Sequence, residues 1–156
     1  MFRERARKLQ IGGMGKAELL SSLRAAGVQF NAYAHLLFDD PLFITSATSS
    51  WVVATDVTVA ELGFAEGAIS AEIFARARSR GLELCPLELA AHCRLQFLDQ
   101  SEGPYLTVAS EKTKDDDAYP NGFYLRRYDG ALWLRGYRAT SDYVWDPTSR
   151  FLFLMT

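Results

Sequence analysis

A chain of 156 residues with 49% apolar and 23% charged side chains has the composition of one packed globular domain. Ten Phe, seven Tyr and three Trp supply ample surface to bury, which excludes disorder over most of the length. A formal net charge of −2 and a pI near 5.7 exclude a global field that would draw in nucleic acid or an anionic membrane.

The charge is unevenly placed. Arg3, Arg5, Arg7 and Lys8 oppose only Glu4 at the start, and residues 1–14 read as a flexible basic leader ahead of a single domain over 15–156. Residues 15–104 hold six basic and eleven acidic side chains, and 105–156 hold seven of each. No apolar run reaches the roughly 18–20 residues that span a bilayer. The opening residues lack the apolar stretch of a secretory signal. The expected location is the cytoplasm, with Cys85 and Cys93 as reduced thiols.

Residues 15–94 read as mainly helical. A helix over 16–26 puts Leu19, Leu20 and Leu23 on one face, with Gly27 as the stop. Asn31 caps a second over 32–38, which ends before Pro41. Trp51-Val52-Val53, Val57 and Val59 suggest one short strand. Ser70 caps a helix over 71–80 with Ile73, Phe74 and Ala77 inward. Pro86 opens another that runs to 95.

From residue 95 the apolar period drops from 3.6 to 2. Six strands are expected, over 94–97, 105–110, 122–128, 131–138, 143–145 and 151–155, separated by Pro, Gly, Asn and Asp turns. Helices first and strands after predict an α+β fold. The N-terminal helices would pack on one face of a C-terminal antiparallel sheet of about four to six strands.

Asp129-Gly130 is a strong hairpin signal, because a type I′ turn needs two residues at positive φ. A two-residue loop there pairs Tyr128 with Ala131, Arg126 with Trp133, Leu125 with Leu134 and Tyr124 with Arg135. One face then carries Phe123, Leu125, Leu132 and Leu134 and belongs to the core. The other carries Tyr124, Arg126, Tyr128, Trp133, Arg135 and Tyr137. Guanidinium groups there can lie over rings, at about 0.5–1 kcal/mol for each exposed contact. Such a ladder is either self-contained or a recognition surface, since Tyr, Trp and Arg dominate interface hot spots and also stack bases.

The chemistry elsewhere is thin. Cys85 at a helix start with His92 and Cys93 beyond it suggests a nucleophile and base, but residues 85 and 92 lie about two turns, or roughly 10 Å, apart. Asp142 with Asp146, or Glu83 with Glu88, are candidate acid–base pairs. No set of ligands with metal spacing is present: the three acids Asp115-Asp116-Asp117 lack the pattern of a calcium loop, and no metal or cofactor is expected. Gly12-Gly13-Met14-Gly15-Lys16 has a glycine run but neither the spacing nor the preceding strand of a phosphate loop. Residues 59–80, with Arg76, Arg78 and Arg80, allow a helix-turn-helix reading, although the joining segment is long for one.

The stretches 81–100 (GLELCPLELAAHCRLQFLDQ) and 121–147 (NGFYLRRYDGALWLRGYRATSDYVWDP) resemble those of uncharacterised bacterial proteins. The resemblance covers about a third of the chain and implies a bacterial cytoplasmic protein, with no activity, cofactor or site residue attached. The leading expectation is a non-enzymatic binding or protein-interaction module that uses the Arg/aromatic hairpin face, with a protein partner or a second copy. The alternatives are a small enzyme at Cys85/His92 or Asp142/Asp146, and a nucleic-acid-binding protein.

Overall fold

The structure is a computed structural model and describes residues 2–156. The elements run β1 (Arg7–Ile11), α1 (Lys16–Ala25), β2 (Gln29–Phe30), α2 (Ala32–Asp39), β3 (Ser50–Thr58), α3 (Ser70–Ser79), β4 (Leu82–Glu83), α4 (Leu87–Gln96), β5 (Leu106–Val108), β6 (Gly122–Tyr128), β7 (Ala131–Tyr137) and β8 (Arg150–Met155). Every strand joins one curled sheet, a half-barrel in the order β1-β3-β8-β5-β6-β7-β2, with β4 pairing β8 beyond the end of β5. The class is α+β. No helix among the described residues is long and apolar enough to cross a membrane.

The sheet is larger than expected, and it is mixed. It has eight strands where four to six were expected; β5 runs parallel to β8 and β2 parallel to β7, and the other pairs are antiparallel. The extra strands come from the half that reads as helical. Two of them, β2 and β4, are two residues long, too short to show any period. The stretch expected as a flexible leader also contributes: Arg7–Ile11 pairs with Ser50–Ala54 of β3, and Leu9 and Ile11 are buried. Met1 lies outside the described residues.

Nor do the helices share one face. Alternation along β8 separates two cores. Leu152 packs in the cluster that holds α1, α2 and α4, through Leu19, Leu37 and Leu89. Phe151 and Phe153 point the other way, into a cluster with Ile73 and Ala77 of α3. Phe74 meets both Phe rings edge-on, at 6.0 and 6.1 Å. A single strand that is apolar on both sides marks the centre of a sheet covered on both faces.

Two strand expectations fail. Residues 94–97 continue α4 to Gln96, because Arg94 must reach back into the fold. It is fully buried, and its guanidinium donates to Gln100 Oε1 at 2.7 Å, to the Trp133 carbonyl at 3.2 Å and to the Phe97 carbonyl. Burial lowers its pKa to about 10. Residues 143–145 form only an isolated bridge, Ala68 to Trp145, which ties the loop to the segment before α3.

Candidate functional site

Asp129 and Gly130 both take positive φ, 52° and 76°, as a type I′ turn requires. The register follows: Tyr128 pairs with Ala131, Arg126 with Trp133, Tyr124 with Arg135 and Gly122 with Tyr137. On the core side Phe123, Leu125 and Leu134 are fully buried, while Leu132, nearer the turn, is half-buried.

The other side lies on the α3 face of the sheet, but α3 does not reach it. That helix covers β4 and β8, and β6 and β7 extend beyond it. Tyr124, Arg126, Trp133, Arg135 and Tyr137 are half-buried and Tyr128 is exposed. The Arg126 guanidinium lies 4.3 Å from the Tyr128 ring and 4.4 Å from Tyr105. Arg135 lies 5.0 Å from Trp133 and 5.9 Å from Tyr124. Burial raises the pKa of Tyr124, and the two guanidiniums oppose that rise. The phenol therefore stays neutral at physiological pH.

Two site residues escaped the sequence reading. Tyr105, half-exposed at 52%, enters through the β5–β6 pairing and meets the Tyr124 ring at 5.1 Å, tilted by 51°. Trp145 stands between the ladder and the α3 layer, edge-on to Tyr137 at 5.5 Å and to Phe151 at 4.8 Å, with its indole N–H donating to Ser70 Oγ. Their aromatic character was visible, but the contacts of Tyr105 with Tyr124 and of Trp145 with Ser70 cross 19 and 75 residues of chain, and no local pattern points to them.

The ladder is rich in donors and poor in acceptors. The Nε–H groups of Arg126 and Arg135 and the indole N–H of Trp133 are buried and bond to nothing. No carboxylate among the described residues comes within 4.0 Å of either guanidinium. Buried polar groups are usually satisfied, so three such donors on one face, besides those of Arg7, Arg94 and Ser110 elsewhere, mark the ladder as short of acceptors. Beside Tyr105 the face deepens into a cleft of about 460 Å³, with Thr107, Trp145, Thr148 and Arg150 in its walls.

The other candidates are accounted for within the fold. Cys85 and Cys93 are buried, and burial pushes both thiols up, Cys93 to about 11. Cys85 donates to the Leu152 carbonyl, and no hydrogen bond joins it to His92. His92 instead accepts from the Gly12 amide through Nε2 at 3.1 Å, so its own proton sits on Nδ1. Glu88 lies 4.0 Å from that ring nitrogen and takes both its hydrogen bonds from Ser46. Asp142 and Asp146 each close their own exposed turn, with Thr140 and Thr148, and no partner is common to both.

The glycine run at 12–16 does follow a strand, contrary to expectation, and it opens α1. Two of its amides are already used, however: Gly12 donates to His92 and Gly13 to the Ser46 carbonyl, while the Lys16 ammonium reaches the Asp40 carbonyl. In the region read as a helix-turn-helix, Arg76 and Arg80 donate to the carbonyls of Leu62 and Glu61, and the apolar side of α3 faces the sheet. Among the described residues no group of three His, Cys, Asp or Glu is placed to hold a metal. Comparison with protein-family models, with curated proteins and with solved structures gave no match.

Proposed function

We propose that the chain is a binding module that takes an acidic segment of a partner protein on the β5–β6–β7 face. The observation that carries this reading is the pair of ring-held guanidiniums, Arg126 and Arg135, which have no carboxylate partner among the described residues while neighbouring N–H groups lack acceptors. Carboxylates and backbone carbonyls supply the missing acceptors, and Tyr105, Tyr124, Tyr128 and Trp133 supply rigid aromatic area at low entropic cost. A polyphosphate backbone fits less well. The chain is net acidic, and the patch offers two guanidiniums rather than a long basic track.

The test uses the full chain with a Glu/Tyr copolymer as the acidic protein probe and a single-stranded oligonucleotide as the phosphate probe, both followed by fluorescence anisotropy. Salt-sensitive binding of the copolymer is expected, weakened about tenfold or more by Arg126→Gln with Arg135→Gln. Equal binding by the double variant overturns the reading, and so does tighter binding of the oligonucleotide. Sedimentation of both proteins separates partner binding from pairing of two copies across the same face.

A further inference from the structure

Between α3 and residues 110–112 the α3 face carries a second groove, distinct from the cleft at Tyr105. Two adjoining pockets of about 430 and 420 Å³ share Arg78, Leu84, Ser110, Glu111 and Lys112 as walls. The second extends to Phe74 on α3 and to Tyr137, the last rung of the ladder.

Ser110 is the unusual member. It is 4% exposed, and its buried hydroxyl has no hydrogen-bond partner. A lone buried donor of this kind is destabilising when nothing answers it. The room it occupies exists because residue 122 is glycine: a Cβ there would sit 2.6 Å from Ser110 Oγ.

Two cations stand at the rim with loose attachments. Arg78 is 3.7 Å from Glu111, and both side chains are well exposed, at 47% and 81%. Lys112 is likewise 3.7 Å from Asp117. Exposed pairs of this length contribute little, so either cation can turn to a better partner. The apolar walls are Phe74, Leu84 and the Tyr137 ring.

We infer that this groove binds a small amphipathic anion, a carboxylate or sulfonate on an aromatic or short aliphatic body. The anionic head sits between Arg78 and Lys112 with the Ser110 hydroxyl turned to donate to it, and the body lies on Phe74, Leu84 and Tyr137. Glu111 competes with the head for Arg78. The site therefore has a signature that mere apolar adherence lacks: removing one charge weakens binding, and removing its neighbour of opposite sign strengthens it.

The probe is anilinonaphthalene sulfonate, titrated by fluorescence into the native full-length chain and displaced with octanoate. One saturable site is expected. Arg78→Gln weakens it about tenfold and Ser110→Ala about fivefold, while Glu111→Gln tightens it. Circular dichroism melts confirm that each variant is folded, and Trp133→Ala with Arg135→Ala leaves the titration unchanged, so this site stands or falls apart from the ladder. The inference is overturned by an absence of saturable binding, by a titration indifferent to Arg78 and Glu111, or by Ser110→Ala raising the melting temperature with no effect on the probe. Amide shifts on probe addition confined to residues outside 70–84 and 110–112 would overturn it as well.

Discussion

Gly136 shows how far a single residue can decide the packing. It sits mid-strand in β7, opposite Phe123, where a glycine would ordinarily weaken the sheet. A Cβ there would lie 2.7 Å from the backbone and side chain of Tyr33 and 2.9 Å from the Ala34 amide. The start of α2 therefore rests directly on the strand backbone. Gly136→Ala is expected to lower stability by about 1–3 kcal/mol, as overpacking against backbone does. Urea denaturation measures it, and an unchanged midpoint would mean that α2 can retreat without loss. Arg94 illustrates the converse at the same scale. Among the described residues it has no counter-ion, and it is held by carbonyl and amide oxygens from the segment after α4 and from β7.

At the scale of elements, the end of the sheet is finished by a side chain. The edge strand β2 pairs only two residues of β7, and Asn31 continues the pairing beyond it. Its Oδ1 accepts from the Gly136 amide at 2.8 Å, and its Nδ2 donates to the Gly136 carbonyl at 2.9 Å. The same Oδ1 accepts from Ala34 at 3.0 Å and so caps α2. One amide group thus joins strand edge, helix start and turn. Asn31→Ala should cost about 2–3 kcal/mol, a cap together with a pair of strand bonds. Asn31→Asp keeps the acceptor and loses only the donor, so its cost should be the smaller of the two. Chemical denaturation of both variants checks the order, and equal losses would show that the acceptor contributes nothing.

For the whole molecule, the buried ionisable groups set how stability responds to acid. Burial lowers the pKa of His92 below its ordinary 6.5, and the nearby Glu88 only partly offsets this. The folded state therefore binds a proton less readily than the unfolded chain. The stability that His92 contributes is complete above pH 6.5 and is lost as pH falls through its lower folded value. A second loss follows at lower pH. Burial raises Asp40 and Glu61, but hydrogen bonds outweigh it and hold both below the usual carboxylate range: Thr113, Tyr119 and the Leu42 amide for Asp40, Arg5 and Thr58 for Glu61. Their contribution is present above about pH 4.5 and disappears below it. Denaturation midpoints should fall in two steps on acidification. His92→Gln, which can still accept from the Gly12 amide, should flatten the upper step alone. A pH profile of the variant that matches the parent would assign that step elsewhere.

Local chemistry in the chain was enough to determine the hairpin with its register and its two faces, the Asn31 cap, and the apolar sides of α1 and α3. In each case the signal lies within a few residues: two positive-φ positions in a turn, a capping side chain, a 3.6 or 2.0 period. The candidate site was legible to the same extent. Its six hairpin residues share one face because strand alternation leaves no other arrangement. Tertiary structure alone decided the rest. It set the parallel pairings of β5 with β8 and β2 with β7, the recruitment of residues 7–11 to the sheet, and the division of helices between its faces. It also brought Tyr105 and Trp145 to the ladder and left the Arg126 and Arg135 guanidiniums without a carboxylate among the described residues. These depend on which distant segments meet. That is settled by how the whole apolar surface can be buried at once, a quantity no local window of the chain contains.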